Sequence, residues 1–592
     1  MASVCQLHIR PSPWPVYTHP QQVLFQSSIF SMLPMLNDHN SHLSLSAMPK
    51  VFQSTGSKAP MVIGLYGVPG CGKSYLLSQL KAYSEYSQNE FIFYEGSAII
   101  DLLVPNGGLD AFKRMGARDK THWREQAISH IRAECAASGK IGLVAGHFMF
   151  WEDEAEEAGE GVWTDSDAAV FTHIIYLAIA PNEVVRRRAN DSNRRRAAVS
   201  EDHIARWQEA EREGLRTICL EKKIIFMVAP PLAVSDLIRA IVQRRTEAHN
   251  LSCAYERLDE IVAGFRANDM RRDVMLVFDG DKTLVAEDTG KIFWEIAMAD
   301  PDADTAMLAG RGGDPMNKLF SSPFGYSYDA FLQAAFIYEA LDAAKFDLYC
   351  TQAAATVRIH PEMISLLQSA AERRVGAVVI TCGLRLIWER ILCAAGLEKS
   401  VKVVGAGCIH DERAVVVTAR IKRELVVRLR DVHETFVCAF GDSCLDLPML
   451  KEAEKAVVVV GEEHTRSRSM EAVLRDAIVN DGLRAEQWLL PSSVTPRLDT
   501  YQLPLFEISS ASTFIDSLVR LFAIRRRVLH ATDEHAAKLL MTPMRDARLS
   551  GPALHRLSRW ACQNGLRRLA EFKIAVTGLR GLAWGLVLLA LG

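Results

Sequence analysis

The sequence predicts an α/β protein built from two tandem parallel-sheet domains and an incomplete C-terminal α/β unit. Three observations carry this expectation. Short apolar runs alternate with helical patterns, as in a parallel sheet covered on both faces. The alternation restarts midway along the chain. In each series, polar motifs follow directly on apolar strands, where open α/β sheets place their sites.

The first series opens with residues 61–66, and apolar runs follow at 91–94, 141–145, 170–180 and 223–228. Helical spacing lies between them, around 74–86, 122–138 and 201–219. The second series runs through 273–278, 375–380, 400–404 and 436–440, interrupted by a helical segment of about 287–361. These bounds predict one domain over 60–245, a second over 255–490 with a cap at 287–361, and a third unit over 491–592. Residues 1–59 are rich in Ser, Pro, His and Gln without a sustained period, and read as a disordered tail.

Composition narrows the classes. The 592 residues are 49% apolar and 23% charged, with a net charge of −3, so no global field draws the chain to nucleic acid or membrane. The apolar stretch 581–592 is too short to cross a bilayer. Twelve cysteines without a CxxC pair fit thiols in a reducing, cytoplasmic setting.

Gly67-Val-Pro-Gly70-Cys-Gly72-Lys73-Ser74 fits the phosphate-cradling pattern G-x4-G-K-[ST], between a strand and a helix. Gly67, Gly70 and Gly72 let the backbone curl so that amide N–H groups converge on one anion. Lys73 would reach the outer phosphates of ATP or GTP, and the Ser74 hydroxyl a Mg²⁺ ion. Arg186, Arg187, Arg188, Arg194, Arg195 and Arg196 crowd around Asp191. The segment resembles the arginine lid of adenylate-kinase-like small-molecule kinases, which implies nucleotide contacts for Arg188 and Arg194. The strand 141–145 ends in Gly146-His147, with no Walker-B aspartate. Glu95 is a candidate base or acceptor contact, and 147–151 a candidate pocket wall.

Asp279-Gly-Asp281-Lys-Thr283 follows a second apolar strand, Thr381 ends another, Lys422 stands further on, and Gly441-Asp442-Ser-Cys-Leu-Asp446 ends a fourth. These four elements, in order and over about 274–460, resemble the haloacid dehalogenase-like (HAD-like) hydrolases, and the insert matches the cap of the phosphoserine-phosphatase-like branch. The resemblance implies Asp279 as nucleophile and Asp281 as general acid and base. It implies Mg²⁺ on Asp279, the Asp281 carbonyl and Asp442, with Asp446 in support, and phosphoryl contacts from Thr381 and Lys422. Lys402 and Arg423 are neighbouring alternatives to Lys422. Tyr326, Tyr328 and Arg311 are candidate pocket residues.

Residues 497–506 and 528–548 resemble the opening of a uracil-phosphoribosyltransferase-like domain, and the whole order resembles composite fungal proteins. No acidic pair with a Thr-Gly loop follows, so phosphoribosyl transfer is not expected. The combined reading is a small-molecule phosphomonoester hydrolase fused to a nucleotide-binding, kinase-like domain in nucleotide salvage. Polynucleotide 5′-kinase/3′-phosphatase activity is an alternative, in which nucleic acid is the partner. A nucleotide sensor without turnover is another.

Overall fold

The computed structural model describes residues 60–527, apart from 83–89, 192–195, 244–245, 272, 303–312, 409–410, 412, 468 and 509. The tail, Arg194, Arg195, Arg311 and the stretch 528–592 lie outside the described residues. The described part is α/β, with two all-parallel sheets in one compact unit.

The first sheet has five strands: β1 (Val62–Tyr66), β2 (Phe91–Glu95), β3 (Ile141–Ala145), β6 (His173–Leu177) and β7 (Ile225–Ala229), in the order β2-β3-β1-β6-β7. A two-stranded ribbon, β4 (Met149–Phe150) and β5 (Glu160–Gly161), sits between β3 and β6 in sequence. β1, β3, β6 and β7 are buried along their whole length, which is why they read as unbroken apolar runs. The run expected at 170–180 is split. Thr164 and Asp167 form a capping box that starts the helix Asp165–Val170, and the strand begins only at His173.

The second sheet has six strands: β8 (Val274–Phe278), β9 (Gly376–Leu384), β10 (Val401–Ala406), β11 (Phe436–Gly441), β12 (Lys455–Val460) and β13 (Ala485–Leu489), in the order β10-β9-β8-β11-β12-β13. In both sheets the chain leaves the first strand to one side and later returns to its other side. That reversal opens a crevice at the carboxyl ends of β1 and β8.

Two boundaries differ from those expected. The helix Glu247–Ala267 occupies the anticipated junction and buries Leu258, Ile261, Val262 and Phe265 in the core of the second sheet. Residues beyond 490 also belong to that core: Leu498 and Leu503 lie under one face, Phe506, Ile515 and Leu518 under the other. Between β8 and β9 stand the cap helices Thr289–Ala299, Pro315–Ser321, Tyr328–Glu339 and Ala343–Thr356. The helix Tyr328–Glu339 turns Phe331, Leu332, Ala335 and Phe336 into the core of the first domain, beside β7. It covers an edge strand that would otherwise present open backbone groups.

Candidate functional site

Asp279 follows β8, and its backbone N–H continues the ladder by donating to the Phe440 carbonyl at 2.9 Å. β8 lies between β9 and β11, so Asp279 and Asp442 directly follow neighbouring strands; Thr381, expected at a strand end, lies within β9, which continues to Leu384. Beneath them Phe278 and Phe440 stack with centroids 4.5 Å apart. The turn after β8 is tight because Trp388 packs against it. A Cβ on Gly280 would lie 2.5 Å from the indole.

Lys422 is the hub. Its ammonium donates to Asp279 Oδ1 at 2.5 Å and to Asp446 Oδ1 at 2.6 Å, with only 1% of the residue exposed. The alternatives point elsewhere: Lys402 donates to the Glu398 carbonyl, and Arg423 pairs with Glu452 and Glu424. Asp446 is fully committed. Its Oδ2 accepts from Ser443 N at 2.9 Å, Ser443 Oγ at 2.7 Å and Asp442 N at 3.2 Å. Thr381 Oγ1 accepts from Gly383 N at 2.9 Å, which leaves its hydroxyl hydrogen to donate.

The electrostatics are those of crowded anions. Burial, and then the Asp446 carboxylate, raise the Asp279 pKa to about 6, while Lys422 opposes the rise. Burial and Asp288 raise Asp281 to about 7. Burial, Asp446 and Asp279 push Asp442 well above the carboxylate range. Carboxylate oxygens of Asp279, Asp442 and Asp446 lie within 4.8 Å of one another. Hard, anionic oxygens brought together with too little positive charge fit a divalent cation such as Mg²⁺. Asp446 is the least available of the three, since Lys422 and the Ser443 loop occupy both its oxygens. Asp281 Oδ1 accepts from Thr289 N at 3.0 Å, while its Oδ2 borders the same spot as Thr381 Oγ1, the two oxygens standing 3.1 and 3.2 Å from where a Cβ on Gly383 would lie.

The glycine-rich loop after β1 holds Gly67, Gly70 and Gly72 at φ of 144°, 97° and 101°, values that favour glycine. Lys73 opens the helix Lys73–Ala82. Its ammonium donates to the Gly67 carbonyl and lies 3.5 Å from His147 Nδ1. Ser74 stands beside it, half-buried. Arg187 donates to the Cys71 carbonyl at 2.8 Å and Arg188 to the Pro69 carbonyl at 3.1 Å. Arg188 also pairs with Glu152 and lies over Trp207. These two arginines therefore grip the loop itself, whereas Arg186 pairs with Glu183 and Arg196 with Asp191. Glu95 caps the helix Gly96–Leu103 without a side-chain bond. Tyr326 is exposed and stacks on Phe320; Tyr328 packs against the first domain's core.

Sequence reasoning missed Glu211. It is fully buried on the helix Glu201–Lys222 and accepts from the Tyr176 hydroxyl at 3.1 Å. Burial raises its pKa to about 7 against the pull of the Lys73 ammonium. A signal existed: Ile204, Trp207, Glu211, Leu215 and Cys219 share one helical stripe, so a glutamate there faces inward.

Two family models match separate stretches of the chain. Residues 276–451 match the family described as haloacid dehalogenase-like hydrolase, and residues 66–205 match an AAA domain. The chain carries a HAD hydrolase domain behind a P-loop domain. Solved structures similar to it include a phospho-aspartyl intermediate analogue of phosphoserine phosphatase, at 14% identity and TM-score 0.23, covering 32% of this chain and 87% of that one. Phosphoserine phosphatase from T. onnurineus is 19% identical, with TM-score 0.23 and coverage of 32% and 84%. A cytosolic 5′-nucleotidase IIIB bound to cytidine is 14% identical, with TM-score 0.27 and coverage of 45% and 91%. No curated protein matches the sequence. Among the described residues, no helix is long and apolar enough to cross a membrane.

Proposed function

We propose that the HAD domain is a Mg²⁺-dependent phosphomonoester hydrolase, and that the P-loop domain binds ATP or GTP and passes phosphate to a small acceptor. The observation that supports the hydrolase is the convergence of Asp279, Asp442 and Asp446 around Lys422. Asp279 and Asp442, with Asp446 and the Asp281 carbonyl in support, would hold a Mg²⁺ ion, which would supply the positive charge that lets one anion approach another.

Asp279 then attacks phosphorus through the oxygen not bound to Lys422. The bond from phosphorus to the ester oxygen breaks, and Asp281 gives its proton to the departing oxygen. Its raised pKa keeps that proton available near neutrality. In the second step Asp281 takes a proton from water as the water oxygen attacks phosphorus. The bond from phosphorus to Asp279 breaks, and phosphate leaves. Lys422 uses two of its three N–H groups on Asp279 and Asp446, leaving the third for a phosphoryl oxygen. Thr381 donates to another.

In the P-loop domain, Lys73 would exchange the Gly67 carbonyl for nucleotide phosphates, and Ser74 would hold the Mg²⁺ that accompanies them. Arg188 acts by holding the loop, and Arg194, which lies outside the described residues, is the proposed nucleotide contact by resemblance. The resemblance of residues 497–506 and 528–548 to a uracil-phosphoribosyltransferase-like domain supports a place in cytoplasmic nucleotide salvage, with small phosphate esters as substrates. The cap over the hydrolase site favours such esters over a nucleic-acid end.

The test is hydrolysis by the full chain of a panel of small phosphate esters and a 3′-phosphorylated oligonucleotide, for wild type and Asp279→Asn. Wild type is expected to hydrolyse small esters in a Mg²⁺-dependent way, and the variant to lose that activity. Full activity in Asp279→Asn ends the phosphatase reading, and a clear preference for the oligonucleotide replaces the salvage reading with end repair.

A further inference from the structure

Arg497 lies in the segment after β13, yet it reaches the rear of the hydrolase site. Its Nη1 donates to the Ser467 carbonyl at 2.9 Å, and its Nη2 lies 3.5 Å from the Asp442 carbonyl. Its own backbone is fixed from below: Gln487, buried on β13, accepts from Arg497 N at 2.8 Å and donates to the Leu498 and Leu503 carbonyls. The guanidinium is buried, and its Nε has no hydrogen-bond partner among the described residues.

A buried guanidinium braced only by carbonyls is an expensive arrangement. Burial lowers its pKa, and the negative field of Asp442, then of Glu471, offsets part of that cost. The neighbourhood also holds Arg466, whose charge acts against it. Arg497 ties together two loops: the one after β11 that carries Asp442, and the one before the helix Met470–Val479 that carries Ser467.

We infer that Arg497 is a positioning residue of the hydrolase metal site, bridging the Asp442 and Ser467 carbonyls so that the Asp442 carboxylate is held where a divalent cation needs it. The inference rests on the hydrolase reading above. It also gives the segment after β13 a role in this domain: the HAD fold is completed at its metal loop by chain beyond its last strand. Groups that orient metal ligands without touching the metal typically change affinity by about 10- to 100-fold when removed.

Two roles are distinguishable. A residue that merely fastens the segment would change stability and leave the cation alone. A positioning residue changes cation affinity in protein that remains folded. A competing electrostatic effect has the opposite sign, because deleting a positive charge near Asp442 tightens cation binding.

The experiment is a Mg²⁺ titration of the full chain by calorimetry, with the Mg²⁺-induced rise in melting temperature as a second readout, for wild type, Arg497→Met and Arg497→Lys. Arg497→Met is expected to weaken Mg²⁺ binding by about tenfold or more. Arg497→Lys, which reaches one carbonyl at a time, is expected to fall between. Unchanged or tighter Mg²⁺ binding in a folded variant overturns the inference. If Arg497→Met does not fold, wild-type affinity in Arg497→Lys overturns it equally. Absence of ester hydrolysis by wild type sinks the hydrolase reading but leaves this titration interpretable.

Discussion

Gln333, on the cap of the hydrolase domain, binds the backbone of Phe226, in the edge strand of the P-loop domain. Its Oε1 accepts from Phe226 N at 2.7 Å, and its Nε2 donates to the Phe226 carbonyl at 2.8 Å. A single side-chain amide thus stands in for the next strand of the sheet. The two domains share a buried polar contact as well as a hydrophobic one.

Gln333→Leu removes both bonds and leaves two buried backbone groups of Phe226 without partners. Each unsatisfied group costs about 1–3 kcal/mol. The expected outcome is a loss of about 2–6 kcal/mol in denaturant unfolding, with earlier unfolding of the P-loop sheet on its β7 side in hydrogen exchange. Unchanged protection at β7 would show that the apolar face of the cap helix alone holds the contact.

Lys422 is the only cation hydrogen-bonded to both Asp279 and Asp446 among the described residues. Lys422→Met leaves those carboxylates facing each other in a buried site. Breaking a buried pair in this way costs about 3–5 kcal/mol. The melting temperature without metal should fall sharply, and added Mg²⁺ should restore more stability to the variant than to wild type. Hydrolysis should still fall by about two orders of magnitude or more, because the proposed phosphoryl contact would be lost. A variant as stable as wild type without metal would mean that the acids are protonated and the lysine is dispensable.

Much of this site was legible before the fold. The aspartates and Lys422 stand in an order that a parallel sheet brings to one edge, and strands buried on both faces announce themselves as apolar runs. What was illegible depends on contacts distant in sequence. β13 carries Glu486 and Gln487 between apolar neighbours, and reads poorly as a strand. Gln487 is tolerated there only because carbonyls 11 and 16 residues away satisfy its amide. The segment after 490 reads as a separate unit because 497–506 resembles another family's opening; a resemblance does not show that Phe506, Ile515 and Leu518 will pack into the core of the sheet before it. The arginine cluster, by resemblance, implies a nucleotide contact for Arg188, but a cluster does not say which carbonyls will face it, and the structure sets Arg188 on the Pro69 carbonyl.

Lys73→Ala tests the P-loop domain. The lysine is buried against the loop and holds the Gly67 carbonyl. Its removal should weaken binding of a fluorescent ATP analogue by at least about tenfold, since one charge-assisted phosphate contact exceeds 1.4 kcal/mol in a partly desolvated cradle. Hydrolysis by the HAD domain should stay near wild type. Equal nucleotide affinity in the variant would show that the cradle does not take nucleotide phosphates.

His173 sets an acid limit on the P-loop sheet. It lies on β6, paired in register with Ile63 and Ile225, and its Nδ1 is 2.9 Å from Thr172 Oγ1. Burial lowers its pKa from 6.5 to about 4. The unfolded chain therefore takes up this proton first as pH falls, so the contribution favours folding fully above about pH 6.5 and is lost progressively down to about pH 4. Lowering the pKa from 6.5 to about 4 corresponds to about 3 kcal/mol. Carboxylates with raised pKa, such as Glu211, contribute a slope of opposite sign. The comparison must therefore be the difference between wild type and His173→Phe in urea unfolding at pH 7.5 and pH 4.5. The variant is expected to lose less stability than wild type on acidification. If the two lose the same amount, the buried imidazole accepts its proton without unfolding the sheet, and the acid limit lies elsewhere.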